Sequence, residues 1–586
     1  MTQPAAFPGS TVGLPDAGNG RPVFLRKIAS PEIALLVIVL GATLMRAAFA
    51  AITGLGNDES YTIVTSRDLA LSYFDHPPMT WWLAHLSSWL AGSEVSIAVR
   101  APFLAFATLS TVLMYSLTAK LFDRWSGVLA ALMMACAPVL GVTSASWILP
   151  DGPLITFLLV TTLVLVHVLF DSEAHPAGWL LAGLLGGLAL LSKYHGIFLF
   201  AGTFLFLLTS PAHRFWLRSI WPYAGALVGL IVFFPVVIWN VQHDFVSIAF
   251  QESRATVTRF QPWMALVAIA GTALFLTPWI WLGLVTVGWR AACVGPKAPR
   301  AWLLLCLGIG PVLLFPLVAV WSAAKPFFHW AAPGYLLLFP LLGAAVARQW
   351  GKRPTLRHWV LGSVTFVTIA MIAVMAVSLA PGFAALGAGA LRDPLRELAP
   401  WSGLAEAFHR NGLSREKYAF VVSRVWYEGG KIGYALGDNW PVACIGIDCR
   451  GFSSTHVEEG GTGKDAVIVV PADQVGLANI RLRFAKLEPV ETIEIQHEGA
   501  LVERLQILIG RNYLAEGAMR RSIQRHFAGH SQYSPVFTVL HRVTVPYIFG
   551  CMFILNISTT QYGGLCRDPH KACNNMASDL QKRRNI

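Results

Sequence analysis

Charge is what this chain has little of. Asp, Glu, Lys and Arg make up only 13% of its 586 residues, against about 25% in a typical soluble domain. Hydrophobic residues make up 55% and mean hydropathy is +0.56, which excludes a water-soluble enzyme and indicates a polytopic membrane protein. The net charge of +12 calls for no nucleic acid, because much of the excess falls in short loops between apolar runs, as the positive-inside bias predicts. A cleavable signal peptide is not evident: the first thirty residues are polar and rich in Pro and Gly, and the first apolar run begins near Ile33. Cysteine is sparse. The eight are scattered, no spacing resembles a zinc site, and Cys136, Cys293 and Cys306 sit in or beside apolar runs. Cys444 and Cys449 would pair only if their part of the chain faces an oxidising compartment. No internal repeat is evident, and a repeat-built transporter would show one.

What is present is a series of apolar runs, each near the roughly 20 residues that a membrane crossing needs. They fall at about 33–52, 95–118, 126–148, 153–170, 178–192, 195–209, 219–239, 264–288, 301–321, 329–347 and 359–380, so about eleven transmembrane helices are expected. The stretch 178–209 is long for one span and short for two. Reading it as two keeps Arg214 and Arg218, Arg290, Lys297 and Arg300, and Arg348, Lys352, Arg353 and Arg357 on the side of the N-terminal tail, 1–30, which the positive-inside bias favours. Five segments then lie outside: 53–94, the tips around Asp151 and Lys193, 240–263, and 322–328. The part after Pro381 also lies outside. Segment 53–94 carries enough Leu and Trp to form helices lying in the membrane interface. Residues 31–380 thus form the membrane domain. From 381 to 515 the composition turns globular: Ala419–Ser423 and Ala466–Val470 read as buried strands, Gly429-Gly430 and Gly460-Gly461 as turns, and a small α/β domain is expected. The basic tail 516–586 matches neither pattern.

The polar residues of the outer segments are the candidates for chemistry. Asp58-Glu59 follows the first span; a carboxylate there can act as a general base or hold a cation, or merely cap a helix. Asp75-His76 precedes two prolines that fix an extended turn; His76 can donate to a phosphate, and Asp75 can orient it or bind metal, or the pair can simply break a helix. Asp151 sits in a Leu-Pro-Asp-Gly-Pro turn. Lys193, Lys325 and His329 are cationic groups on the side that the topology bias disfavours; a phosphate-bearing lipid gives them a reason, and snorkelling is the plainer one. Trp239, Asn240, His243 and Asp244 add polar groups at the approach to 240–263. All of these fall on one face of the membrane under a topology chosen from other residues.

Together, the Asp-Glu pair, Tyr73-Phe74-Asp75-His76-Pro77-Pro78, Leu149-Pro150-Asp151-Gly152-Pro153, Leu191-Ser192-Lys193-Tyr194 and Trp239–Asp244 resemble the GT-C membrane glycosyltransferases. The kin are bacterial relatives of the protein O-mannosyltransferases and of the lipid A aminoarabinose transferase, including the rhizobial lipid A galacturonosyltransferases. The resemblance covers about residues 30–350. It implies a polyprenyl-phosphate-linked sugar donor, a lipid or glycan acceptor such as lipid A, surrounding membrane lipids, and inverting transfer at the periplasmic face of a bacterial inner membrane. Asp58 is then the expected catalytic base with Glu59 its neighbour, and Asp151 a second acid near the sugar. Asp75 matches a position that holds a divalent metal cation in some relatives. Lys193 matches a lysine near the donor phosphate, and His76 stands where aminoarabinose transferases carry lysine. Lys325 and His329 are further candidates for that phosphate. Protein glycosylation of the O-mannosyltransferase type and lipid or solute transport are the alternatives.

Overall fold

The structure is a computed structural model that describes residues 30–255, 260–322, 327–379, 397–446, 448–454, 460–473, 477–497 and 500–514. The N-terminal tail and the 516–586 tail lie outside the described residues, as does most of the stretch joining the membrane domain to the C-terminal part.

The membrane domain is helical. Helix α1, Pro31–Ile52, starts where the Ser30 hydroxyl accepts from the Ile33 amide and Pro31 takes the first position. Its outward face carries exposed Leu36, Val37, Leu40 and Leu44, as a lipid-facing helix requires. Two short helices, α2 (Asn57–Ser66) and α3 (Met79–Ala91), follow, as expected for 53–94. Then come α4 (Ser96–Leu121), α5 (Arg124–Ala135), the short α6 (Ser144–Ser146), α7 (Asp151–Phe170), α8 (Gly178–Ser192), α9 (Ile197–Thr209), α10 (Trp221–Gln242), α11 (Val246–Ala255), α12 (Trp263–Leu276), α13 (Pro278–Val294), α14 (Pro299–Ala319), α15 (Ala332–Leu336), α16 (Phe339–Gln349) and α17 (Pro354–Leu379). Among the described residues, six helices are long and apolar enough to cross a membrane, or up to eight if each bent pair counts as one span.

Three runs expected as single spans are interrupted. The 126–148 run bends by 87° between α5 and the π turn before α6. Pro138 removes a ladder donor, and Gly141 lies so close to the Ala135 carbonyl that no Cβ fits. The carbonyl of Gly141 freed by the bend accepts from buried Arg46 Nε at 2.8 Å, which keeps a backbone acceptor satisfied in an apolar setting. The 264–288 run turns by 110° at Thr277, whose φ of +66° precedes Pro278 at the start of α13. The 329–347 run divides into α15 and α16.

The helix ends sort into two faces. On one, Lys120 pairs with Asp171, Arg124 with Glu32, and Arg300 donates to the Leu121 carbonyl. On the other, Glu59 accepts from the Ile148 amide, Lys193 meets Asp151, Tyr194 bonds Ser247, and Gln251 donates to the Asp75 carbonyl. These contacts bring 53–94, the Asp151 and Lys193 tips and 240–263 together, while residues 323–326 lie outside the described residues.

The C-terminal part folds around a five-stranded sheet of order β2-β1-β3-β5-β4. The strands are β1 Val421–Ser423, β2 Val442–Cys444, β3 Ala466–Pro471, β4 Phe484–His497 and β5 Ala500–Tyr513. The first three run parallel, and β5 lies antiparallel to β3 and β4. Val421, Val467 and Val469 pack on one face of the sheet, and Val422, Ile468 and Val470 on the other. Helices α18 (Gly403–Arg410), α19 (Trp426–Leu436) and α20 (Leu477–Arg481) flank it. Gly429-Gly430 is a helical segment of α19, not a turn. The reason is packing: at Gly430 a Cβ would come within 2.6 Å of the Tyr61 amide, so glycine lets α19 lie directly on α2.

Candidate functional site

The site forms where α2, the 72–78 turn and α11 meet the edge of the sheet domain. The two adjacent acids at the start of α2 behave oppositely. Glu59 is 1% exposed and receives Arg100 Nε at 2.7 Å and Nη2 at 2.5 Å, along with the Gly56 and Ile148 amides. The rest of the Arg100 guanidinium caps the end of α1 through the carbonyls of Ala50, Thr53 and Gly54. Buried charge survives only with this degree of pairing. Glu59 therefore joins α1, α2 and α4 and has no open face for substrate.

Asp58 is exposed, and among the described residues no side chain hydrogen-bonds to its carboxylate. Its opening is nevertheless surrounded by protein at longer range. That loss of bulk water pushes its carboxyl up to about 6, with Glu397, Asp75 and Glu59 adding and Arg450 opposing. An accessible carboxylate with an acidity near neutral is suited to accept a proton.

Asp75 is buried. Its carboxylate meets Arg450 Nη1 at 3.3 Å and Tyr61 Oη at 3.4 Å. Burial raises its carboxyl, and Arg450 and Arg254 pull it back. Among the described residues no three His, Cys, Asp or Glu side chains converge to hold a metal ion, and an arginine stands on the one carboxylate expected to ligate it. The residues present do not fit a divalent cation at Asp75.

Deeper in the membrane domain, Asp151 and Lys193 turn out to be each other's partners. Lys193 Nζ lies 2.8 and 3.0 Å from the two Asp151 oxygens, both groups buried. Lys193, read from sequence as a cation for a lipid phosphate or as a snorkelling residue, thus has an acid partner within the fold. His76, His195 and His329 surround this pair. Burial and then Lys193 hold His76 well below its ordinary value, which favours its neutral ring. His76 Nδ1 and His195 Nε2 are buried with no hydrogen-bond partner among the described residues. Such orphaned ring atoms are costly. Arg254, on α11, lies over the Phe250 ring at 4.2 Å and interacts with Asp58, Asp75 and Arg450.

Of Trp239, Asn240, His243 and Asp244, Asn240 reaches toward this cluster through a side-chain hydrogen bond with Tyr194, the neighbour of Lys193. Trp239 stacks on His243 at 4.1 Å, His243 bonds the Trp239 carbonyl, and the Asn240 amide donates to Val236. These bonds end α10, and Asp244, at φ +51°, turns the chain. Lys325 lies outside the described residues.

Arg100, His195, Arg450 and Lys431 were not candidates from sequence. Arg100 had a usable signal, since it is a lone charge inside an apolar run. Lys431, on α19, donates to the Leu55, Glu397 and Ala399 carbonyls and so ties the sheet domain to the end of α1. For Arg450 the only hint was its place beside Cys449, whose disulfide with Cys444 is formed.

Comparison with known proteins agrees with this architecture. Residues 75–239 match the family described as dolichyl-phosphate-mannose-protein mannosyltransferase. Lipid A galacturonosyltransferase RgtD of Rhizobium johnstonii is 28% identical over 318 residues, covering 52% of this chain and 64% of that protein. The undecaprenyl phosphate-alpha-4-amino-4-deoxy-L-arabinose arabinosyl transferase of Erwinia tasmaniensis is 32% identical over 135 residues, 22% of this chain and 24% of that one. The chain thus matches less than two thirds of the length of either relative. The crystal structure of ArnT from Cupriavidus metallidurans bound to undecaprenyl phosphate superposes with a TM-score of 0.55 at 16% identity, over 81% of this chain and 97% of that chain, a likeness of fold. By its sequence matches the chain is similar to membrane glycosyltransferases over part of their length, and by its fold it is similar to ArnT.

Proposed function

We propose that the protein is an inverting glycosyltransferase of a bacterial inner membrane. It moves a sugar from a polyprenyl-phosphate donor to a lipid A-type acceptor on the periplasmic side. The chain crosses the membrane eleven times, some crossings being bent, and the sheet domain lies in the periplasm, where the Cys444–Cys449 bond is at home. The relatives matched by sequence are named as lipid A and aminoarabinose transferases, which supports the donor and acceptor classes.

In the reaction the acceptor hydroxyl attacks the anomeric carbon. The bond from that carbon to the phosphate oxygen breaks, and the phosphate leaves with the electron pair. Asp58 takes the hydroxyl proton. Arg254, together with the rings of His76 and His329 and the Lys193 ammonium, lines the side where charge builds on the leaving phosphate. Asp151 holds Lys193 extended toward that side and keeps its charge compensated while no donor is bound.

The observation that carries this reading is the split of the acid pair: Glu59 is locked by Arg100, while Asp58 is open and unpaired. The test is mass spectrometry of envelope lipids with and without the gene, followed by transfer assays of purified protein with undecaprenyl-phosphate sugars and a lipid A precursor. A mass increment lost with the gene and restored by wild type, but not by Asp58→Asn, supports the reading. An unchanged lipid A profile and no turnover with any such donor overturns it.

A further inference from the structure

We infer that Arg450, delivered by the disulfide-closed loop of the sheet domain, is a positioning residue of the membrane-domain site, filling at Asp75 the place that a bound cation would take. The inference rests on the transferase reading for its activity arm, and on geometry for the rest.

The geometry is specific. The Cys444–Cys449 bond closes a five-residue step at the end of β2. Arg450 follows at once, with φ at +44°, a left-handed conformation that a non-glycine residue holds only when its surroundings fix it. Those surroundings are visible. The Trp426 amide donates to the Asp448 carbonyl, and the Phe452 amide to the Cys449 carbonyl. The Arg450 guanidinium lies 3.7 Å from the Trp426 ring centroid, a cation–π contact that orients its plane. Its Nη1 then reaches Asp75. The same loop holds the other side of Asp75, since the Gly451 amide donates to Tyr61 Oη at 3.0 Å and Tyr61 faces Asp75. A buried carboxylate without a cation is costly, and here the charge comes from the other domain. Arg450 also faces Asp58, whose remaining charged neighbours are Glu397, Asp75, Glu59 and Arg254. Arg450 favours the ionised base, so a misplaced Arg450 alters the base as well as the wall of the site.

The test uses the full chain, purified in nanodiscs. Wild type should contain no stoichiometric divalent cation by elemental analysis and should keep its turnover in EDTA. Arg450→Gln should lower kcat by about 10- to 100-fold, the scale of a small misplacement of reacting groups. It should also move the acid limb of the pH–rate profile to higher pH, because the charge that favours ionised Asp58 is gone. A merely structural arginine would not move that limb. Arg450→Lys should recover part of the loss, and the Cys444→Ser/Cys449→Ser double variant should shift kcat in the same direction as Arg450→Gln. The inference is overturned if EDTA abolishes wild-type turnover and a divalent metal restores it, or if Arg450→Gln stays within about twofold of wild type with an unmoved acid limb. If wild type turns over no polyprenyl-phosphate donor, the transferase reading fails separately. Thermal unfolding of Asp75→Asn, Arg450→Gln and the double variant then decides: non-additive losses support the pair, and additive losses overturn it.

Discussion

The two charged regions of the site solve the same problem in opposite ways. Around Asp151 and Lys193, both charges come from the membrane domain and neutralise each other, with the imidazoles of His76 and His329 beside them. Around Asp58 and Asp75, the acids come from the membrane domain, while one of the two facing cations, Arg450, comes from the sheet domain. The first region is self-contained and buried. The second is complete only when the two domains are docked, and there alone an acid is left open. A closed pair suits holding a charged ligand in place. An open acid in a partly dry setting suits proton transfer, because its protonation state can change at modest cost.

The largest break in this comparison is Asp58→Asn. It keeps size and hydrogen bonding but cannot take the proton, so kcat should fall by about 10²- to 10⁴-fold with folding and insertion intact. Normal turnover of the purified variant would place the base elsewhere. Glu59→Gln should show the reverse profile. It leaves Arg100 buried without its carboxylate, which typically costs about 3–5 kcal/mol. Thermal unfolding of that variant should drop sharply. A Glu59→Gln protein as stable as wild type would contradict its assignment as a joint between α1, α2 and α4.

How far the sequence carries this contrast depends on the residue. Apolar runs of near-span length place most helices correctly, because a bilayer demands uninterrupted apolar backbone pairing. They do not reveal the bends at Gly141 and Thr277, since a broken span keeps its composition and Arg46 restores the lost pairing from another helix. Asp58, Asp75, Asp151 and Lys193 were legible as polar groups in outer turns. Their division of labour was not. Glu59 differs from Asp58 only through Arg100, which is 41 residues away, and Lys193 meets an acid 42 residues away. Arg450, 375 residues from Asp75, was out of reach, because its role exists only through the docking of α19 on α2. Gly429-Gly430 misled for the same reason: a pair of glycines marks a turn locally and a close helix contact globally.

The self-contained region gives a smaller effect. Lys193→Ala removes a charge-assisted contact of the kind typically worth about 1.5–3 kcal/mol. Donor affinity should therefore weaken by roughly tenfold or more, measured by titrating the donor at saturating acceptor. The structure adds a control that sequence could not supply. Because Asp151 is the partner of Lys193, Lys193→Ala leaves a buried carboxylate exposed to the donor phosphate, and like charges repel. Lys193→Ala/Asp151→Asn should therefore bind donor better than Lys193→Ala alone. Equal affinities in the two variants would mean that the pair holds helices together and does not meet the phosphate.

The smallest effect is a dependence on pH, and its sign follows from Asp58. On the proposed mechanism Asp58 is the base and works in its ionised form. With its carboxyl pushed up to about 6 by burial and by Glu397, Asp75 and Glu59, half of the protein should be protonated there near pH 6, and kcat/KM should fall tenfold per pH unit below that point. Above it the profile should be flat until another group titrates. An ordinary aspartate, near 3.9, would keep full rate down to about pH 5. Glu397→Gln sharpens this contrast: with one neighbouring carboxylate gone, the acid limb should move to lower pH while the plateau rate stays within about twofold. A limb that remains at its wild-type position in Glu397→Gln would mean that the titrating group is not Asp58, and that the open acid at the domain junction is not the base.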